Sequence, residues 1–527
     1  MQRNAENESV SIMTLADIPR AYAKTRPHQP ALAFEGRVTT FARLDARTNQ
    51  VAQGLKAAGL QPGSRIAHLG KNSDLYVELL LGAAKAGVVM TPINWRLSPR
   101  EIQYILDDSN AQLLFVGAEF HAMVPSCAPK MSNSRVFGLD QPYESNGYQE
   151  WRDAQSSVDP AFAITPEAPV TQLYTSGTTG NPKGVVLSHR NYTSLQHATD
   201  RFAWSRWEPD DVSLAAMPCF HIGGTGWNVM GLYHGALNVI VREFDPTRIL
   251  DSLNQWPISK MFIVPAALHL LVRQSGVREL DFSRLRFMLY GASPMPRELL
   301  RESMDVFKCG FVQLYGMTET TGAVTALEPE DHAPADNPRI ASAGKPLPGV
   351  ELAILDAQGR RMPTGTVGEI VIRSPTNMKS YWNLPKATAA TVTYEGWLRS
   401  GDAGYLDADG YLYIYDRVKD MIISGGENIY PAEVENAIFG HPQVADVGVI
   451  GVPSDKWGEE VKAIVVSKPG APQDPGSIVA WARERIATYK LPKSIDFVET
   501  LPRNAAGKIL RKELRAPYWQ GRDRLVN

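Results

Sequence analysis

Cysteine is scarce in this sequence: Cys127, Cys219 and Cys309 are the three among 527 residues, odd in number and far apart. That usage excludes a disulfide framework and leaves no pair spaced to share a zinc ion, so a reducing compartment is expected. Long apolar runs are missing too. No stretch reaches about 18 uninterrupted apolar residues, the length a membrane-crossing helix needs; the nearest, 79–90, is broken by Lys85 and by glycines and reads as a buried helix. Net charge is almost nil, −2 from 54 Lys and Arg against 56 Asp and Glu, which removes the electrostatic ground for nucleic acid or an acidic membrane surface as partner. The first fifteen residues lack an apolar signal core, and the ending Arg524-Leu525-Val526-Asn527 is neither a peroxisomal tripeptide nor a prenylation box. The expectation is a cytoplasmic protein that takes small-molecule partners and has no integral membrane segment. A homodimer is left open as its assembly.

A phosphate loop of the familiar nucleotide type is also lacking. TSGTTGNPKG at 175–184 comes nearest, but that pattern needs glycine before the lysine and a hydroxyl after it, and here Pro182 precedes Lys183 and Gly184 follows. The surroundings differ as well: 170–175 and 185–187 read as strands on both sides, with Ser188 and Asn191 as helix-start residues only afterwards. A glycine-rich loop between two strands can serve as a lid over phosphates, its amides and hydroxyls donating and its lysine adding a point charge. Taken alone, it reads equally well as an ordinary polar turn.

The length suggests about three or four units on the soft prior of roughly 150 residues each. Helical stretches alternate with short apolar strands at 113–116, 212–217 and 236–241, which favours α/β layers with substantial parallel sheet. From about 340 to 415 the texture becomes β-rich, with strands at 351–355 and 368–373. A compact α/β unit follows: Pro431 opens a helix with Val434, Ala437 and Ile438 on one face, then come strands at 444–452 and 461–466 and a helix carrying Ile478, Ala482 and Ile486. The expected division is 1–418 and 419–527.

YLDADGYLYIY carries Asp409-Gly410 between alternating aromatics and predicts a two-residue hairpin turn. If Ala408 faces Tyr411 and pairing continues without a bulge, Asp402 falls opposite Arg417 at the open end. Such a pair is either a surface ion pair, contributing about 0 to 1 kcal/mol, or a site that accepts from and donates to a diol such as ribose.

Seven motifs fall in order: TSGTTGNPKG at 175, MPCFHIGG at 217, YGASPMP at 290, YGMTET at 315, LRSGD at 398, DRVKDMIISGGENIYPAEVE at 416 and PRNAAGKILRKEL at 502. Together they resemble the adenylate-forming superfamily of acyl-CoA ligases, peptide-synthetase adenylation domains and beetle luciferases. The resemblance implies a large N-terminal domain of parallel sheets with helices plus a β-rich unit, and a small mobile C-terminal α/β domain. It implies two half-reactions: a carboxylate attacks the α-phosphate of ATP, and a thiol, usually coenzyme A, attacks the acyl-adenylate. The enzyme expected is an AMP-forming acyl-CoA ligase for an apolar monocarboxylic acid, whether fatty, aryl or polycyclic.

The same resemblance assigns roles by position. Lys508 bridges carboxylate and α-phosphate; Thr318 donates to that phosphate and Glu319 is the Mg2+ ligand, a hard oxygen donor of the kind the ion prefers. Thr175, Ser176, Gly177, Thr178, Thr179, Gly180 and Lys183 form the lid over the departing phosphates. Tyr315 and Gly316 with the Gly291-Ala292-Ser293 backbone line adenine, and Asp402 and Arg417 hold ribose. Lys419 is the hinge, Gly425 and Gly426 let the pantetheine pass, and Trp457 and Tyr489 are candidates to meet coenzyme A. His221 gates an acyl pocket lined by Gly223, Trp227, Ala292, Leu314, Gly316 and Gly322, in which no cation is evident, an argument against a second substrate carboxylate. Phe220-His221 stands where amino-acid adenylation modules carry aspartate after the phenylalanine, which argues against that class. A luciferase-like oxygenase shares nearly every motif, and a non-catalytic nucleotide-binding protein is disfavoured by the presence of Lys508, Glu319, Asp402 and Arg417 together.

Overall fold

The two strands expected on either side of the glycine-rich segment are present. In the computed structural model Pro169–Thr175 and Lys183–Ser188 pair antiparallel, with Thr175 opposite Lys183 at the loop end. The structure describes residues 11–175, 181–199, 202–333, 337–356, 358–417, 420–424, 427–454, 456–503 and 507–520. Ser176, Gly177, Thr178, Thr179, Gly180, Lys419, Gly425 and Gly426 therefore lie outside the described residues. Val170, Val185, Val186 and Leu187 are buried, which is why these strands read as near-continuous apolar runs instead of alternating.

The two strands sit near one edge of a seven-stranded sheet. From Pro169–Thr175 onward it is parallel, running through Val89–Ile93, Arg65–Leu69, Ala111–Val116 and Val136–Gly138; at the other end Ser380–Tyr381 pairs antiparallel to Lys183–Ser188. The run 79–90 is not one helix. Ser73 caps a helix Asp74–Ala86, every residue of which is buried, and Gly87 in the left-handed conformation (φ 68) ends it so that Val89–Ile93 can enter the sheet. Apolar periodicity does not separate a buried helix from the buried strand after it; only the glycine marks the break. Lys85 inside that helix is buried and pairs with Asp45 at 2.5 Å.

A nine-stranded sheet carries the rest of the N-terminal region. Its centre is parallel: Pro30–Phe34, Leu237–Ile240, Val212–Ala215, Lys260–Ile263, Phe287–Gly291 and Gly310–Met317 lie side by side. One apolar core underlies both large sheets, including Leu79, Leu173, Leu214, Met261 and Leu289. The β-rich unit is a four-stranded antiparallel sheet of Glu351–Leu355, Gly368–Arg373, Leu398–Leu406 and Leu412–Arg417. The C-terminal unit has its own core of Val434, Ile438, Val447, Val461 and Ile478 between a sheet and the helices Pro431–Phe439 and Pro475–Arg483. The fold is α/β, a large N-terminal part with parallel sheets and a small C-terminal part.

The hairpin differs from expectation in two places. Its turn has three residues, 408–410, because the Asp407 N–H donates to Tyr411 O and Gly410 takes a left-handed φ of 82; this is the longer turn closed by a glycine bulge. A second bulge follows, since Gly404 pairs with Ile414 but Ala403 pairs with Asp416, leaving Tyr415 without a partner across the ladder. The two one-residue shifts cancel, and Asp402 does lie opposite Arg417.

Candidate active site

Phe287–Gly291 and Gly310–Met317 run parallel, Gly291 level with Leu314, and Lys260–Ile263 lies on the other side. Their C-terminal ends share one sheet edge, where open α/β sheets hold ligands. The chain leaves that edge through Ala292, exposed and held at φ 68, and through partly exposed Ser293. A Cβ on Gly316 would lie 1.8 Å from the Gly322 carbonyl oxygen, so only glycine lets Gly310–Met317 and Gly322–Leu327 close on each other there. Between them Thr318–Thr320 makes one short 3-10 turn. The Thr320 hydroxyl accepts from the Met317 N–H at 3.0 Å and reaches the Gly322 carbonyl at 2.8 Å, while Thr321, at φ 56, donates its hydroxyl to Thr376 O at 2.7 Å. The turn is pinned at both ends, and Glu319 stands on it.

Two carboxylates reach this edge, each held by a tyrosine. Asp402, buried, accepts from the Tyr315 hydroxyl at 2.7 Å. Tyr315, expected beside adenine, thus also ties that position to the one expected for ribose. Glu319 accepts at Oε1 from the Tyr381 hydroxyl at 2.8 Å. The same Tyr381 ring lies under Lys183, whose Nζ is 4.9 Å from its centroid. Tyr381 pairs with Val185 in the strand that carries Lys183, which fixes the spacing between that strand and Glu319. Sequence reading passed over Tyr381, because a tyrosine in a two-residue strand carries no periodic signal.

The tail comes to the same edge. Gly507 adopts φ 76, and a Cβ built on it would lie 3.0 Å from Ala266 Cβ. Ala266 belongs to Pro265–Val272, the helix that follows Lys260–Ile263. Arg503 braces the segment, reaching the Gly507 carbonyl and Asp446 at 2.7 Å. Lys508 is therefore presented, half-buried, beside the sheet edge that carries Gly291.

His221 is the residue before the helix Ile222–Tyr233. Asn72 holds the preceding turn, donating to Met217 O at 3.1 Å and accepting from the Cys219 N–H at 2.8 Å, and Tyr76 donates to Cys219 O at 3.0 Å. His221 Nε2 is buried and has no hydrogen-bond partner among the described residues. Burial, with the nearby Arg96 cation second, pushes the ring down to about 4, so it is neutral at pH 7. That cation, Arg96, has its guanidinium 3.9 Å from the Trp95 ring and 5.9 Å from that of Phe220, the residue before His221. A Cβ on Gly223 would lie 3.0 Å from the Phe262 ring, and one on Gly322 would lie 3.9 Å from Ile222 Cγ1. Trp227 is buried and pinned by its indole N–H to Leu214 O at 2.9 Å, with its ring 6.2 Å from that of Phe262. Leu314 is partly buried beside Gly291.

On the C-terminal unit Trp457 and Tyr489 are exposed, with Lys456 and Lys490 over their rings at 4.6 and 5.6 Å. Trp457 precedes Gly458, which pairs with Ser424, the residue before 425–426. Among the described residues no group of three or more His, Cys, Asp or Glu is placed to hold a metal ion. A single carboxylate, Glu319 on its pinned turn, suits Mg2+ that arrives on phosphates, the usual mode for that ion.

The AMP-binding enzyme family model matches residues 20–382, and the model of the AMP-binding enzyme C-terminal domain matches 433–508. The chain is 41% identical over 519 residues to the fatty acid–[acyl-carrier-protein] ligase ScoC of Streptomyces coeruleorubidus, covering 98% of each. It is 37% identical to a feruloyl-CoA synthase of Amycolatopsis sp, over 96% of this chain and 99% of the relative. Among solved structures it is similar to o-succinylbenzoate CoA synthetase from Bacillus subtilis in complex with the acyl-adenylate intermediate, with a TM-score of 0.84 and 32% identity over 94% of this chain and 97% of the other.

Proposed function

Because the chain belongs to the AMP-binding enzyme family, with acyl-CoA and acyl-carrier-protein ligases among its relatives, we propose that it is an AMP-forming acyl-CoA ligase for an apolar monocarboxylic acid. One observation carries this reading: Asp402, Glu319, Lys183 and the Gly507-Lys508 segment converge on one sheet edge. In-line transfer at phosphorus asks the protein for position and charge, with little covalent work. An ionised carboxylate has about four lone-pair sites, so Asp402 can accept from a ribose diol while it holds Tyr315. Lys508 neutralises the acid and the α-phosphate as they approach, Thr318 donates to that phosphate, and Lys183 grips the phosphates that leave as pyrophosphate. Mg2+ held through Glu319 would supply further charge neutralisation on those phosphates.

In the second half-reaction the acceptor thiol adds to the acyl carbonyl, loses its proton to solvent, and AMP leaves with the electron pair of the C–O bond. The unit from Lys419 onward turns about that residue, and Gly425 and Gly426 replace Lys508 so that a pantetheine can pass close to backbone. His221, neutral at pH 7 and with its ring 4.6 Å from that of Phe220, gates the acid's entry. A second reading keeps the same site and changes the acceptor to the pantetheine thiol of a carrier protein. It is favoured by the 41% identity to the ScoC ligase across 98% of both chains.

The test is pyrophosphate release over a panel of fatty, aryl and polycyclic acids, with coenzyme A, with a phosphopantetheinylated carrier protein, or with neither. A signal raised by coenzyme A supports the first reading and one raised only by the carrier the second. Silence with every acid overturns both.

A further inference from the structure

Lys183 begins a strand of the seven-stranded sheet and Glu319 stands on the 3-10 turn between two strands of the nine-stranded one, more than a hundred residues away in the chain, yet both side chains end on one residue. Tyr381 donates its hydroxyl to Glu319 Oε1 at 2.8 Å and presents its ring to Lys183 Nζ at 4.9 Å from the centroid. The ring is buried, and its backbone is fixed twice, by pairing with Val185 and by its N–H donating to the Thr388 hydroxyl at 3.0 Å. The Glu319 main chain is tied to the same segment, since Met378 N–H donates to Glu319 O at 2.7 Å. From these contacts we infer that Tyr381 is a positioning residue for the phosphate end of the nucleotide site, setting the Glu319 carboxylate toward the metal-bearing phosphates while its ring face holds the Lys183 ammonium ready for them.

The chemistry favours this division of labour. A lysine and a glutamate this close to a shared neighbour would neutralise each other if their tips met, and each would then have to be pulled free before it could act on ATP. A tyrosine between them offers the cation a π face and the carboxylate a hydrogen-bond donor. It orients both charges and cancels neither. A hydrogen bond to an ionised group also divides the work between its oxygens, since the oxygen engaged by Tyr381 is Oε1 and the carboxylate keeps Oε2 as its second acceptor.

The inference rests on the nucleotide site proposed above, and its test is independent of the acid. A fluorescent ATP analogue is titrated into wild type, Tyr381→Phe and Tyr381→Leu, each with Mg2+ and with chelator, alongside a melting curve for each protein. Tyr381→Phe keeps the ring under Lys183 and removes the donor to Glu319. It is expected to lower the Mg2+-dependent gain in affinity about tenfold, the size of one hydrogen bond to a charged group, and to leave binding in chelator unchanged. Tyr381→Leu loses the ring as well and is expected to weaken binding in chelator too, by a further several-fold. The inference is overturned if Tyr381→Phe retains the wild-type Mg2+ gain, if the wild type shows no such gain, or if both variants lose affinity only in proportion to a lowered melting temperature. Analogue binding with a normal Mg2+ gain, coupled to silence over the acid panel, would sink the ligase reading and leave Tyr381 its role.

Discussion

Placing a single methyl group at position 507 should slow adenylate formation without unfolding the protein. Gly507 has φ 76, and a Cβ there would lie 3.0 Å from Ala266 Cβ and 3.8 Å from Val264 Cγ2. Two costs follow for Gly507→Ala. Holding alanine in the left-handed region takes about 1–2 kcal/mol, and that cost is carried wherever the segment keeps this backbone. The contact with Ala266 is different, because it exists only while the segment is seated on the sheet edge. Relieving it moves the segment outward by a few tenths of an ångström, and overpacking of this kind costs about 1–3 kcal/mol. Since about 1.4 kcal/mol is a factor of ten, acid-dependent pyrophosphate exchange should fall about tenfold or more. Thioester formation from supplied acyl-adenylate should change less, since the proposed mechanism withdraws Lys508 at that step. The second substitution that decides the matter is Ala266→Gly, which removes the opposing methyl at the start of its helix. In the double variant most of the exchange rate should return, although the melting temperature stays lowered by the left-handed alanine. A double variant as slow as Gly507→Ala alone would refute the reasoning, as would a Gly507→Ala enzyme with wild-type exchange.

Two further outcomes are expected. Asp402→Asn keeps an acceptor for the Tyr315 hydroxyl, which donates at 2.7 Å, but removes the charge offered to ribose; KM for ATP should rise about 10- to 100-fold, the range for hydrogen bonds to an ionised group, with the acid's KM little changed, and equal changes in both would count against the assignment. Stability should fall on mild acidification: burial holds His68 down to about 3 and His189 and His221 down to about 4, below the unfolded value of about 6.5. The unfolded chain therefore binds more protons, so this contribution is complete above about pH 6.5 and is lost toward about pH 4, at up to about 1.4 kcal/mol per pH unit for each ring. Denaturant titrations at pH 7, 6 and 5 measure the slope, and His68→Phe should flatten it by one ring's share; an unchanged slope would show that His68 does not titrate on unfolding.

How legible the site was in the sequence depended on whether each contact was local. Strands at 351–355 and 368–373 and the helix opened by Pro431 follow from alternation, turn residues and apolar faces, all properties of neighbours along the chain. Asp402 and Arg417 could be paired from one hairpin, yet by way of a turn one residue too short and a bulge not foreseen, neither of which the dipeptide Asp409-Gly410 distinguishes. Tyr381, Arg96 and Ala266 were out of reach for another reason. Their partners, Glu319, His221 and Gly507, come from other sheets or other units, and no local pattern encodes a meeting between segments so far apart. The break between Asp74–Ala86 and Val89–Ile93 lay hidden inside one apolar run, with only a glycine to betray it.

The bulge at Tyr415 has a consequence for exchanging parts between relatives. The ring of Tyr415, the extra residue of its strand, lies 4.6 Å from that of Tyr430 at the start of the helix Pro431–Phe439, and Tyr405 is 5.8 Å from it. The two halves of that contact stand on opposite sides of Lys419. A hybrid joined at residue 419 would inherit one tyrosine from each parent, and the fit between the units would then depend on a residue of the strand before the join. The natural seam for grafting lies upstream of Leu398–Leu406, so that the whole hairpin travels with the tail it receives.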